Sequence, residues 1–371
     1  MGKQIKNFGI YLFINVLLLI TSCSKAQENC LNPEDIIPTN RKIYMIGEGH
    51  LDVAENPKMG AGKTQIKHQL AAENEIIKHF VLNCGVKNFI VEAPIYMEYY
   101  FTKFMETGDS AWIDFIHQDY QLGKLYNINN LAKKDTNIQL KCIDLDLSYH
   151  NLNDINALFW LSFYEPHATL LNKKQPKSER TYNNIVFPTT LIDTSKMINE
   201  IIRPFLQYIW DARIYNKDTA NLIVLNTFKS TFEQLNVMHA LKDYYREDYY
   251  LVYRILRSYI YSYGLKIDGY NADLEYRERM LFANFSEIYQ MDTTSGYCIQ
   301  IGAYHIMKDS VPGMLRERIE DKFKLDTYGV FSVAKGFEQH FAPYFNNIQF
   351  DFKQQHCMES INRNDGLLRV Q

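Results

Sequence analysis

The chain has 371 residues, of which 46% are hydrophobic and 22% charged, a composition that excludes a disordered or fibrous protein and allows a large core. Its formal net charge of −3 gives no electrostatic reason to expect nucleic acid as a partner. Aromatic residues make up 14%, with 27 Tyr, which suits a Tyr-rich helical surface and core or a hydroxyl-lined cleft.

The N-terminus reads first as a targeting segment. Lys3 and Lys6 precede an apolar stretch over residues 8–20, about 13 residues and too short for an ordinary spanning helix, as in a secretory signal peptide. The ending Leu19-Ile20-Thr21-Ser22-Cys23 resembles a bacterial lipobox. That resemblance implies cleavage after residue 22 and acylation of Cys23. It also implies a membrane association through this lipid anchor, in the cell envelope on the periplasmic side of the outer membrane. Residues 24–40 are polar and read as a tether, followed by one α/β hydrolase-like domain over 41–371.

The domain begins with an apolar run at 43–46 that reads as a strand and ends in Gly47-Glu48-Gly49-His50. A polar, Gly-rich loop follows. Residues 63–82 have Ile66, Leu70, Ile76, Ile77 and Phe80 on one side and predict a helix, closed by Cys84-Gly85. Residues 86–92 predict a strand ending at Glu92, residues 94–121 an aromatic-rich helical region, and residues 135–144 a strand ending at Asp144. Strand and helix alternating with short connections predicts a mainly parallel central sheet flanked by helices. The pattern changes at about 150–270, where two long helical stretches and a Tyr-dense segment read as an α-helical insertion capping the cleft. A helix at about 271–290 then leads to a strand at 297–301 and to a second tetrad, Gly302-Ala303-Tyr304-His305. A helix after Val311 and a strand at 328–334 complete the reading.

Ligands in open α/β sheets bind at the carboxyl ends of the strands. Four such ends here deliver two imidazoles and several carboxylates to one crevice, which points to hydrolysis. His50 can serve as a general base near neutrality, oriented by Glu48 or Glu92. His305 can be a second acid/base group or can stabilise an oxyanion. Two His and one Glu also form a common catalytic metal set, so a divalent metal on His50, Glu92 and His305 is the alternative, no other cofactor being indicated. Arg277 or Arg279, on the helix before the second tetrad, could hold an anionic intermediate, and Asp144, with Asp146, could bind substrate.

Gly60-Ala61-Gly62-Lys63-Thr64 ends like a phosphate-binding loop, but Pro57 stands where the full pattern needs Gly. No Gly-x-Ser-x-Gly is present, which disfavours a serine nucleophile. Cys30, Cys84, Cys142, Cys298 and Cys357 form no Cys-x-x-Cys pair; Cys142 and Cys298 fall in strands as small core residues, and Cys30 and Cys357 could pair.

These motifs resemble the erythromycin esterase-like family, within a superfamily that includes Tiki-type proteases, TraB and pheromone-shutdown proteins, and haem-binding ChaN-like lipoproteins. The match runs through Ile46-Gly47-Glu48-Gly49-His50, Val91-Glu92-Ala93-Pro94, the stretch from Tyr99 to Gly108, Asp144-x-Asp146, the Arg277-x-Arg279 helix and Gly302-x-x-His305. The resemblance implies hydrolysis of a small-molecule ester or lactone by water activated at His50, with Glu48, Glu92 and His305 in the site. Esterase members usually carry Thr before the first His, where this chain has Gly49, and two histidines in the second motif, where this chain has Tyr304-His305. The paired Gly-x-x-His pattern resembles the Tiki type, which implies a metal-dependent peptidase as the alternative. A ChaN-like haem- or iron-binding lipoprotein is the alternative from another class.

Overall fold

The computed structural model describes residues 32–49, 63–95, 97–114, 116, 119–135, 137–144, 242, 249–251, 253–254, 257–258, 273–308, 313–334, 357–362 and 365–370. His50, Asp146, the lipobox with Cys23, Cys30, the side chain of Cys357 and nearly all of the 150–270 segment lie outside them. No helix among the described residues is long and apolar enough to cross a membrane.

The described strands are β1 (Ile43–Glu48), β2 (Val86–Pro94), β3 (Gln139–Asp144), β4 (Gly296–Gly302), β5 (Thr327–Ala334), β6 (Cys357–Asn362) and β7 (Asp365–Val370). They form one seven-stranded sheet in the order β3-β2-β4-β1-β5-β7-β6. All neighbours pair in parallel except β6 with β7 at the edge. The fold is α/β with a mainly parallel sheet. Every residue of β1 and β4 is buried, as expected of central strands covered on both faces.

Period-two alternation divides the strand side chains between two cores. Tyr44, Ile46, Phe89, Val91, Cys142, Cys298 and Val330 face one, covered by the helices α1 (Pro33–Ile36), α2 (Lys63–Cys84), α3 (Met97–Thr107) and α4 (Asp119–Ala132). Ile43, Met45, Ile90, Ile299, Ile301 and Phe331 face the other, covered by α5 (Asp273–Met291), α6 (Leu315–Phe323) and the 3-10 turn Ala303–Ile306. Ile37 already packs in the first core, so the segment read as the end of a tether is joined to the fold.

The region expected to be helical over 94–121 is divided. Gly108, at φ 69°, closes α3 with its N–H on the Phe104 carbonyl, and a 3-10 turn Ser110–Ile113 follows. α4 was not anticipated from the sequence, nor were β6 and β7. The few described residues of the 150–270 segment include Arg254, fully buried, whose guanidinium donates to Glu98 on α3 at 2.7 Å and to the Cys142 carbonyl on β3. Glu98 also accepts the Cys142 N–H at 2.9 Å, so this part of the segment is tied to the sheet by a buried, multiply bonded ion pair.

Candidate active site

Because β3, β2, β4 and β1 are adjacent and parallel, their carboxyl ends form one continuous edge. In the pairing register Glu48 of β1 stands beside Gly302 of β4 and Ser332 of β5, and Asp144 of β3 beside Pro94 of β2. Gly47 makes the edge compact. A Cβ there would meet the Ile306 side chain at 2.5 Å and the Ala303 Cα at 2.9 Å, so only glycine lets the turn carrying His305 lie against β1.

Glu92, Asp144, Arg277 and His305 converge on the α5/α6 face. Arg277 Nη2 donates to Glu92 Oε1 at 2.5 Å and to Asp144 Oδ2 at 2.6 Å, and its Nε donates to Asp144 Oδ1 at 3.1 Å. This two-point grip on Asp144 suits the planar guanidinium fork. The other oxygen of Glu92 accepts the Gly302 N–H at 2.6 Å, fixing the carboxylate to the strand that leads into the second tetrad. Burial pushes the Asp144 carboxyl up, against the pull of Arg277. The two carboxylates hold the Arg277 charge firmly, above its ordinary value.

His305 is nearly enclosed, with 4% of its surface exposed. Its Nδ1 hydrogen-bonds Glu278, itself wholly buried, and its Nε2 lies 3.5 Å from Glu92 Oε1 and from Arg277 Nη1. Burial opposes the imidazolium, but the two carboxylates outweigh it and raise His305 to about 9. At neutral pH this ring is a cation beside a second cation, Arg277. It can donate a hydrogen bond or a proton; it is not a free base.

Glu48 points to the opposite face, in line with the alternation along β1. Both of its oxygens accept from Lys124 Nζ on α4, at 2.9 and 3.0 Å. Arg279 is not brought to the cluster: it is exposed, with its guanidinium 5.6 Å from the Tyr276 ring. Cys142 and Cys298 are free, buried core residues, as expected. Three charged partners went unread in the sequence: Glu278, flanked by the two arginines that drew attention, Lys124 on the unanticipated α4, and Glu73. A signal existed for the last: Gln69 and Glu73 interrupt the apolar stripe of α2 at its buried positions.

The described donors do not fit a divalent metal. The Arg277 guanidinium occupies the space between Glu92 and Asp144, so both carboxylates are already held by a cation. Among the described residues no group of three or more His, Cys, Asp or Glu is placed to hold one.

Solved structures share this fold. A succinoglycan biosynthesis protein aligns with a TM-score of 0.53 at 14% identity, over 83% of this chain and 73% of its own. A Bacillus cereus protein aligns with a TM-score of 0.53 at 9% identity, over 82% and 70%. A mutant of the erythromycin esterase EreC in its open conformation aligns with a TM-score of 0.50 at 11% identity, over 78% and 69%. The chain therefore has an erythromycin esterase-like fold. No family model and no curated protein matches the sequence.

Proposed function

We propose that the protein is a hydrolase that cleaves a carboxylic ester or lactone with water activated by His50, without a side-chain nucleophile. The observation that carries this reading is the fixed pair of cations, His305 and Arg277, at the carboxyl edge of the sheet. Such preorganised charge is what a developing oxyanion needs. His50, two residues after Glu48 in the sequence, is the remaining imidazole of the paired tetrads.

In this mechanism His50 takes a proton from water as its oxygen attacks the carbonyl carbon. Negative charge then develops on the carbonyl oxygen, facing His305 and Arg277. Collapse of the tetrahedral intermediate breaks the acyl–oxygen bond, and the alkoxide recovers the proton from His50, leaving acid and alcohol. Glu92 and Asp144 keep Arg277 in place, and Glu278 keeps His305 charged. Cys23 would anchor the enzyme in the envelope membrane through its lipid, on the periplasmic side of the outer membrane.

The test is turnover of a panel of p-nitrophenyl esters and lactones by the wild type and by His305→Gln. Loss of one such electrostatic donor is expected to lower kcat about 100-fold or more. Equal turnover by the two proteins would contradict the role given to His305.

A further inference from the structure

Behind β1, on the face away from His305, lies a second buried cluster that the hydrolytic mechanism does not use. Glu73 of α2 is 1% exposed. Its Oε1 accepts from Gln69 Nε2 at 2.6 Å and from the Ser332 hydroxyl at 2.7 Å, and lies 2.7 Å from the Tyr120 hydroxyl. Its Oε2 lies 2.7 Å from the same Tyr120 hydroxyl. These hydrogen-bond partners are an amide and two hydroxyls, none of them a cation.

The Tyr120 hydroxyl also hydrogen-bonds Glu48. Lys124, one turn further along α4, places its ammonium on both oxygens of Glu48. One ammonium, on a side chain 14% exposed, thus serves two largely buried carboxyl groups. A second unscreened negative charge there would be costly, and a carboxyl group avoids that cost by keeping its proton.

We infer that Glu73 is a positioning residue that stays protonated and, through the Tyr120 hydroxyl, leaves Lys124 to hold Glu48 at the strand end that precedes His50 in the sequence. The inference rests on the proposed hydrolase only for the use made of Glu48. The groups facing Glu73 are Glu48 of β1, Tyr120 and Lys124 of α4, Ser332 of β5, Gln69 of α2 and the thiol of Cys298 on β4. Burial first, and then Glu48, push Glu73 up to about 8, against the hydroxyls and Lys124.

The experiment is thermal unfolding of the wild type and Glu73→Gln from about pH 5 to about pH 9, repeated in a Glu48→Gln background. A native state that keeps a proton the unfolded chain releases loses stability as pH rises between the two pKa values. Glutamine keeps the shape and the donor of the protonated acid but does not titrate. The Tm of Glu73→Gln is therefore expected to gain on the wild type by several degrees from about pH 5 to about pH 8. In the Glu48→Gln background a smaller gain, complete at lower pH, is expected, because the repelling charge that raises Glu73 has gone. A Tm difference that stays flat or shrinks with rising pH would overturn the protonated Glu73. An unchanged window in the Glu48→Gln background would overturn its coupling to Glu48. Hydrolysis of p-nitrophenyl butyrate by the wild type is read separately: no turnover counts against the hydrolase, while the Tm curves still decide the state of Glu73.

Discussion

Glu278 holds His305 and the start of α6 at once: one carboxylate oxygen bonds the imidazole Nδ1, and the other accepts the Leu315 N–H at 2.8 Å. The acid is fully buried, so its charge is balanced chiefly by the imidazolium and the helix end. Glu278→Gln is expected to cost about 3 kcal/mol of stability, the range for removing one partner of a buried charge pair. It should also lower the pKa of His305. Chemical denaturation and an NMR titration of the His305 ring check the two effects.

The charge on His305 makes a contribution to stability with a defined pH window. Its folded value, about 9, lies above the ordinary 6.5, so the native state binds a proton that the unfolded chain gives up in between. The stabilisation is full below the lower value and is lost as pH rises through the upper one. The Tm advantage of the wild type over His305→Gln should shrink between these two pH values; an advantage that grows there would show that the ring is neutral in the fold.

Gly47→Ala places a methyl group where Ile306 and the backbone of Ala303 already stand. Overpacking of this kind costs about 1–3 kcal/mol. The strain falls on the turn that carries His305, so turnover should fall more than stability. A melt compared with kcat on the best ester substrate would separate the two.

Arg254 and Glu98 are both sealed from solvent, and each also bonds the backbone of Cys142. Arg254→Met alone is expected to destabilise by less than the ~3–5 kcal/mol of an isolated buried pair, because Lys141 remains 3.3 Å from Glu98. Arg254→Met with Glu98→Leu should recover much of that loss. Denaturant titration of both variants measures it.

The strands nearest the site were legible because they are short apolar runs ending in Gly, Glu or Asp, as buried parallel strands must be. α4 was not legible, for a physical reason. Gly123, Asn127, Asn129 and Asn130 lower its helical propensity. Tertiary packing forms it instead: a Cβ at Gly123 would collide with the Leu70 side chain, so the glycine marks close approach to α2. Missing α4 hid Tyr120 and Lys124, and without them Glu48 had only His50 as a visible partner. Arg277 was legible as a candidate, but its two carboxylate partners come from strands distant in sequence. The short strands β6, at the edge, and β7, beside it, carry too little alternation to stand out in the sequence.

The most direct test of the account is ester or lactone turnover by His50→Ala beside the wild type, both dialysed against chelator. The wild type is expected to keep its rate, and the variant, folded with an unchanged melt, to lose about 10²–10⁴-fold in kcat, the contribution of a positioned general base. Full turnover by His50→Ala, or a wild type silenced by the chelator and restored by zinc or manganese, would contradict it.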